Sequence, residues 1–236
     1  IGSYSGGLEK IKSIKKWYNL FEAGDGNRVA GALPAYQNEH FHHSCNSDLD
    51  CEMERLADLA TEWDDVQNTL ANYLATLFVL GVDGLRIDAA KHLPAADLRA
   101  ILTKAAQAAD VRIENTAINP GGARSVLVFQ EIIGTPADPG AAYANGKVTE
   151  FEYGRKLAEK FLGGPLSLLN GQVPFGEGWG LQSSSQSIAF IDNHDNQRGH
   201  GGGGQVMKDI RNHLDAYTLA NVFMLAWPYG YPQVMS

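Results

Sequence analysis

The chain has 236 residues, of which 44% are hydrophobic, and a formal net charge of −8 at pH 7. This length and apolar share are typical of one large globular domain or a big part of one. The negative charge argues against a protein that binds nucleic acid along its phosphates, which would be basic. Because no apolar run approaches the roughly 18 residues that a membrane-spanning helix needs, we expect no membrane partner either.

Residues 1–60 show no regular hydrophobic period. Glycine, asparagine, aspartate and histidine recur there, as in residues 24–27 and 38–43, which predicts loop-rich structure with a few short strands. Cys45 and Cys51 lie close together in the same segment. This spacing suits a disulfide bond in a secreted protein, but two free thiols in a cytosolic protein would give the same pattern.

Regular structure is predicted from Thr61 onward. Thr61 and Asp64 resemble a helix capping box, and apolar residues at helical spacing follow as far as Gly81. A short buried strand at residues 84–88 leads to a second helix that begins at Pro94. Four more strands are predicted at residues 125–131, 148–153, 188–192 and 231–235, with helices at residues 157–162 and 206–224. This alternation predicts a parallel sheet covered by helices.

Three of these apolar runs end in a carboxylate. Asp88 follows Gly-Leu-Arg-Ile, Glu131 follows Phe-Gln, and Asp195 ends Phe-Ile-Asp-Asn-His-Asp. Carboxylates at the C-terminal ends of parallel strands are typical of a barrel active site, and they favour chemistry on a sugar acetal. A single strand-end carboxylate is more often a helix cap or an ion-pair partner, and the spacing alone leaves other barrel hydrolases and metal enzymes open.

Retaining glycoside hydrolysis needs an ionised nucleophile and a protonated acid about 5 Å apart. Arg86 shares a strand face with Asp88, two residues later, so its charge would keep that carboxylate ionised. Glu131 is followed by two isoleucines, and an apolar setting favours a protonated carboxyl group. Asp195 follows His194, and together these side chains could hold two hydroxyl groups of a sugar.

On these residues the chain resembles an α-amylase of glycoside hydrolase family 13. The matching segments are residues 84–92 (nucleophile region), 129–133 (acid/base region), 190–195 (third-carboxylate region) and the animal-type extension 196–204. The resemblance covers essentially the whole chain. It implies an α/β fold, with about strands 4–8 of a (β/α)8 barrel in residues 61–236 and part of an inserted, irregular β-rich domain in residues 1–60. Five predicted strands cannot close such a barrel, so we expect the first three to be missing.

The resemblance implies retaining endo-hydrolysis of α-1,4-glucosidic bonds in starch, glycogen and related glucans by a secreted monomer. Asp88 would be the nucleophile, Glu131 the general acid/base, and Asp195 the side chain that stabilises the distorted sugar. Substrate contacts are implied at Arg86, Lys91, His92, Ile133, His194 and His200. Another family 13 activity, an α-glucosidase or a transglycosylase, stays open, and so does a sugar-binding relative without catalysis.

A calcium ion is the cofactor that the resemblance implies. Asp58 would supply a carboxylate, His92 its backbone carbonyl, and a residue near Leu49 a second carbonyl, all oxygen ligands that Ca²⁺ prefers. The family also uses an asparagine that has no counterpart in this sequence. We therefore expect an incomplete calcium site.

Many animal-type members of the family also bind chloride beside the acid/base residue, between two arginines and an asparagine. Arg86 and Asn193 match two of these positions, but Gln233 stands where the second arginine would be. Losing a fixed cation weakens an anion site, because buried charge needs compensation. We therefore predict weak or no chloride activation.

Overall fold

A computed structural model of the chain describes residues 40–42, 49, 58–198 and 213–235. Most of the predicted inserted domain lies outside these ranges, as do Cys45, Cys51 and His200, so the predictions for them stay predictions. The chain divides into two compact units, Ile1–Leu85 with His92–Leu127, and Arg86–Lys91 with Val128–Ser236. Each is described by itself below.

The first unit is built on two helices that pack against each other, α1 (Asp64–Val79) and α2 (Ala95–Ala108). The buried residues of α2 include Leu98, Ile101 and Leu102, at the helical spacing that the sequence predicts. The predicted capping box is wrong, because the Thr61 hydroxyl donates to Asp97 Oδ2 at 3.0 Å instead of capping α1. Strand β2 (Val111–Ile113), which the sequence analysis missed, also lies in this unit.

Strand β1 (Gly84–Ile87) and strand β3 (Arg124–Gln130) each begin in the first unit and end in the second. The remaining strands are β4 (Lys147–Glu150), β5 (Ser187–Ala189) and β6 (Tyr231–Pro232). The sheet order is β1–β3–β4–β5–β6, with β2 paired to β3. The pairs from β3 to β6 are parallel, which confirms the predicted parallel sheet. The prediction that β1 is buried is wrong, since Gly84 is exposed and β1 is the first strand of this order.

In the second unit, helices follow the strands. They are α3 (Pro139–Tyr143), α4 (Phe151–Phe161) and α5 (Leu214–Ala226). The strand predicted at residues 148–153 ends at Glu150, because the Glu150 side chain accepts from the Glu152 N–H at 2.9 Å and so caps α4. Side chains of α4 and α5, among them Leu157 and Met224, form the core of this unit. In the part of the chain described, no helix combines the length and apolarity needed to cross a bilayer.

Candidate active site

Asp88 comes directly after the last residue of β1. Its carboxylate Oδ1 lies 2.5 Å from Nη1 of Arg86, and 75% of its side chain is exposed. The two side chains stand together because residues two apart on a strand share one face. This confirms the contact that the sequence predicts, and it leaves the Asp88 carboxylate open to solvent.

Glu131 comes directly after β3, and its side chain is 12% exposed. Its Oε1 lies 2.8 Å from Nη2 of Arg86, so one guanidinium bridges the two carboxylates. Its Oε2 accepts from the backbone N–H of Ala89 at 3.0 Å. The register that brings these groups together is fixed by a backbone bond from the Glu131 N–H to the Ile87 carbonyl at 2.8 Å.

Ala89 is a contact residue that the sequence analysis missed. Its φ is 48°, in the left-handed region that non-glycine residues rarely adopt and that costs about 1–2 kcal/mol. In this conformation its N–H points at Glu131. An alanine in a strand-to-helix connection carries no sequence signal for such a role.

The two carboxyl groups titrate in opposite directions. Burial raises the pKa of Glu131, and the negative charge of Asp88 adds to this, against the Ala89 N–H and the Arg86 charge. For Asp88, burial is outweighed by hydrogen bonds to Arg86 and Glu131 and by the charges of Arg86 and His194, so its pKa lies below the usual value. The pKa values of the two groups are therefore shifted apart, in the directions that an acid and a nucleophile need.

Asp195 lies in a loop after β5 that side chains hold in place. Asn193 Oδ1 accepts from the backbone N–H groups of Asp195 and Asn196, at 3.1 and 2.9 Å. Asn196 Oδ1 accepts in return from the Asn193 N–H at 2.8 Å. The carboxylate of Asp195 lies 3.5 Å from His194 Nε2, as their adjacency suggests.

A cavity of about 80 Å³ opens beside Glu131 in the second unit. Its lining residues are Arg86, Glu131, Thr149, Phe190, Asp192, Asn193, His194, Gln233, Val234 and Met235. The structure thus brings together the three residues that the sequence assigns to a chloride-like site. Asp88 and Asp195 do not line this cavity.

The other predicted substrate residues that the structure describes do not line this cavity. Lys91 is exposed, and its Nζ donates to the Ile133 carbonyl at 3.4 Å. His92 ends a short 3₁₀ turn, Ala90–His92, and belongs to the first unit.

The predicted calcium ligand Asp58 is part of an ion-paired group in the first unit. Its Oδ2 lies 2.7 Å from His42 Nδ1, and His42 Nε2 lies 3.0 Å from Glu62 Oε1. A carboxylate suits Ca²⁺, which takes six to eight oxygen ligands. Within the described ranges, however, no cluster of three or more histidine, cysteine, aspartate or glutamate side chains is arranged to hold a metal. The donor chemistry therefore fits part of a calcium site.

The chain is similar in sequence to animal α-amylases. Pancreatic α-amylase of Sus scrofa is 39% identical over 229 residues, which are 93% of this chain and 41% of that protein. Pancreatic α-amylase of Homo sapiens is 42% identical over 197 residues, 79% of this chain and 36% of that protein. No protein-family model matches the chain.

Solved structures of α-amylase I from Eisenia fetida match the fold. The wild-type structure is 33% identical with a TM-score of 0.68, covering 86% of this chain and 44% of that one. A Glu-to-Gln variant of the same protein, in complex with maltohexaose, gives a TM-score of 0.69. The parallel sheet with its helices is therefore part of a (β/α)8 barrel, as predicted. The chain spans about two fifths of the length of the curated relatives it matches. By sequence and by fold, it belongs to the α-amylase family of glycoside hydrolases.

Proposed function

We propose that the full-length protein is an α-amylase, a retaining endo-hydrolase of α-1,4-glucosidic bonds in starch and related glucans. One observation carries this proposal: Arg86 bridges two carboxyl groups whose pKa values are shifted apart. The family relationship favours the same chemistry. The maltohexaose bound to the earthworm variant favours an α-glucan oligosaccharide as substrate.

In the proposed first step, Glu131 donates its proton to the glycosidic oxygen while Asp88 attacks the anomeric carbon. The bond to the leaving sugar breaks as the bond to Asp88 forms, giving a covalent glycosyl-enzyme. Glu131, now ionised, is stabilised by the Arg86 charge and the Ala89 N–H. In the second step it takes a proton from water, which attacks the same carbon and releases Asp88. Asp195 and His194 are proposed to hold the sugar while its ring is distorted.

The activity test is incubation of the full-length protein with starch and with maltohexaose, followed by analysis of the early products. An α-amylase releases reducing ends from internal bonds and lowers the viscosity of starch early in the reaction. An α-glucosidase would release glucose from chain ends, and a transglycosylase would form longer or cyclic glucans. Absence of any reaction would favour a sugar-binding relative.

The pH dependence of kcat/KM follows from the two pKa shifts. Asp88 must be ionised, so the rate falls as pH falls through its lowered pKa. Glu131 must be protonated, so the rate also falls as pH rises through its raised pKa. We predict a bell-shaped profile that belongs to the coupled pair. Initial rates on a soluble maltooligosaccharide measure it, and a rate that stays high throughout the alkaline range would contradict the assignment of Glu131.

Chloride is predicted to have little effect. In the cavity beside Glu131, the Arg86 guanidinium already binds two carboxylates, and Gln233 is neutral. An anion there would lack a second cation to compensate it. We expect less than about a twofold change in the wild-type rate between chloride-free and chloride-containing buffer, and a larger chloride response in Gln233→Arg. Strong activation of the wild type by chloride would contradict this.

Calcium binding, secretion and a monomeric state are further parts of the proposal. Asp58, the His92 carbonyl and a carbonyl near Leu49 would hold the ion, which would stabilise the fold by binding only the native state. Secretion is proposed from the resemblance to animal-type α-amylases, and a disulfide bond between Cys45 and Cys51 would suit it.

A further inference from the structure

Asp192 is a buried carboxylate that the proposed chemistry does not use. Its residue exposure is 3%, and both of its oxygens have donors. Gln197 Nε2 donates to Oδ2 at 2.5 Å, and the Tyr217 hydroxyl donates to Oδ1 at 3.1 Å. Burying a carboxylate is costly unless hydrogen-bond donors compensate it. The donors to Asp192 therefore indicate what this residue does.

The two partners of Asp192 come from different elements of the second unit. Gln197 belongs to the 3₁₀ turn Asn196–Arg198, directly after Asp195, whereas Tyr217 lies on α5. Asp192 itself comes directly before Asn193, whose side chain accepts from the Asp195 N–H. One carboxylate therefore joins the segments before and after Asp195 to a helix of the core.

We propose that Asp192 is a positioning residue, which fixes the His194–Asp195 loop against α5 so that Asp195 meets the sugar in the reactive geometry. This inference rests on the proposed function, because the reaction is the one that Asp195 is proposed to serve. Preorganised side chains held by such a second set of contacts matter to rate, since a misplacement of 1 Å can cost about 100-fold.

The test compares Asp192→Ala, Asp192→Asn and Tyr217→Phe in the full-length protein. We expect Asp192→Ala to lower kcat about 100-fold with KM changed less than about threefold.

Tyr217→Phe, which removes one donor, should lower kcat about three- to tenfold. Asp192→Asn should recover most of the loss, because its amide keeps one acceptor and a flipped Gln197 amide can accept from the other end. Thr218→Ala is the matched control on α5, because its exposed hydroxyl donates within that helix, to the Leu214 carbonyl, and it should leave kcat unchanged.

Amide hydrogen exchange supplies a second readout that does not depend on turnover. The Asp195 and Asn196 N–H groups should exchange faster in Asp192→Ala, whereas those of α4 around Leu157 should not change. A folded Asp192→Ala with wild-type kcat and unchanged loop exchange would overturn the proposal, even if its melting temperature fell. If Asp192→Ala does not fold, a wild-type kcat in Tyr217→Phe overturns it equally. An inactive wild type would instead refute the proposed function, and the exchange rates alone would then decide whether Asp192 holds the loop.

Discussion

Replacing Glu131 with glutamine is expected to abolish most glucan hydrolysis while leaving glucan binding intact. Glutamine has the shape of the acid but no proton to give to the leaving oxygen. Its single amide oxygen can still accept from one of the two donors that hold the native carboxyl group, the Arg86 guanidinium at 2.8 Å or the Ala89 N–H at 3.0 Å. A lost general acid costs about 10²- to 10⁴-fold in rate, so kcat should fall within this range.

Steady-state hydrolysis of maltohexaose and calorimetric titration with the same sugar measure the two quantities. The dissociation constant should change less than about threefold, in line with the maltohexaose held by the earthworm Glu-to-Gln variant. Glu159→Gln is the matched control, because Glu159 is a half-exposed α4 residue paired with Arg155, and such pairs contribute little. Activity that survives in Glu131→Gln would show that another group is the acid.

Replacing Asp88 with asparagine is expected to have the larger effect. An amide cannot form the covalent ester with the sugar, and removal of a catalytic nucleophile can cost 10⁴-fold or more, of order 10⁶ in well-studied hydrolases. The change also removes the negative charge that helps to keep Glu131 protonated. Asp88→Asn therefore weakens the acid as well as deleting the nucleophile. We expect kcat to fall by at least about 10⁴-fold.

The same rate assay checks Asp88→Asn, and Asp110→Asn serves as its control. Asp110 has a φ of 52°, a conformation that asparagine accepts readily, so this variant should keep wild-type activity. Thermal melting of both proteins separates lost chemistry from lost folding. A well-folded Asp88→Asn that retains more than about a tenth of the wild-type rate would exclude Asp88 as the nucleophile.

The contact between Arg86 and Asp88 was predictable because it is local, set by the two-residue repeat of one strand. The contact between Arg86 and Glu131 was not, since it depends on which strands pair and in what register. A single sequence gives neither the strand pairing nor the register. The contact of Ala89 could not be predicted for the same reason, because its N–H reaches Glu131 only once β3 is in place.

The predicted boundaries of helices and strands are wrong where a polar side chain bonds to the backbone within a segment of apolar pattern. Residues 148–153 are rich in β-branched and aromatic side chains, as a strand would be, but the Glu150 side chain caps α4 and ends the strand. Helix α3 was missed although Asp138 before Pro139 is a helix-start signal, and the Asp138 carboxylate does accept from the Ala141 N–H at 3.0 Å. The roles of His200 and of residues 1–39 remain predictions from the resemblance.

The covalent intermediate offers the most direct test of Asp88 as the nucleophile of a retaining mechanism. The full-length protein can be treated with an activated fluorinated α-glucosyl fluoride, which forms the glycosyl-enzyme quickly and releases it slowly. Proteolysis and mass spectrometry then locate the attached sugar. We predict inactivation with one sugar on the peptide that contains Asp88, at the carboxylate itself. A sugar attached to Glu131 or Asp195, or full turnover with inversion at the anomeric carbon and no trapped species, would contradict the account.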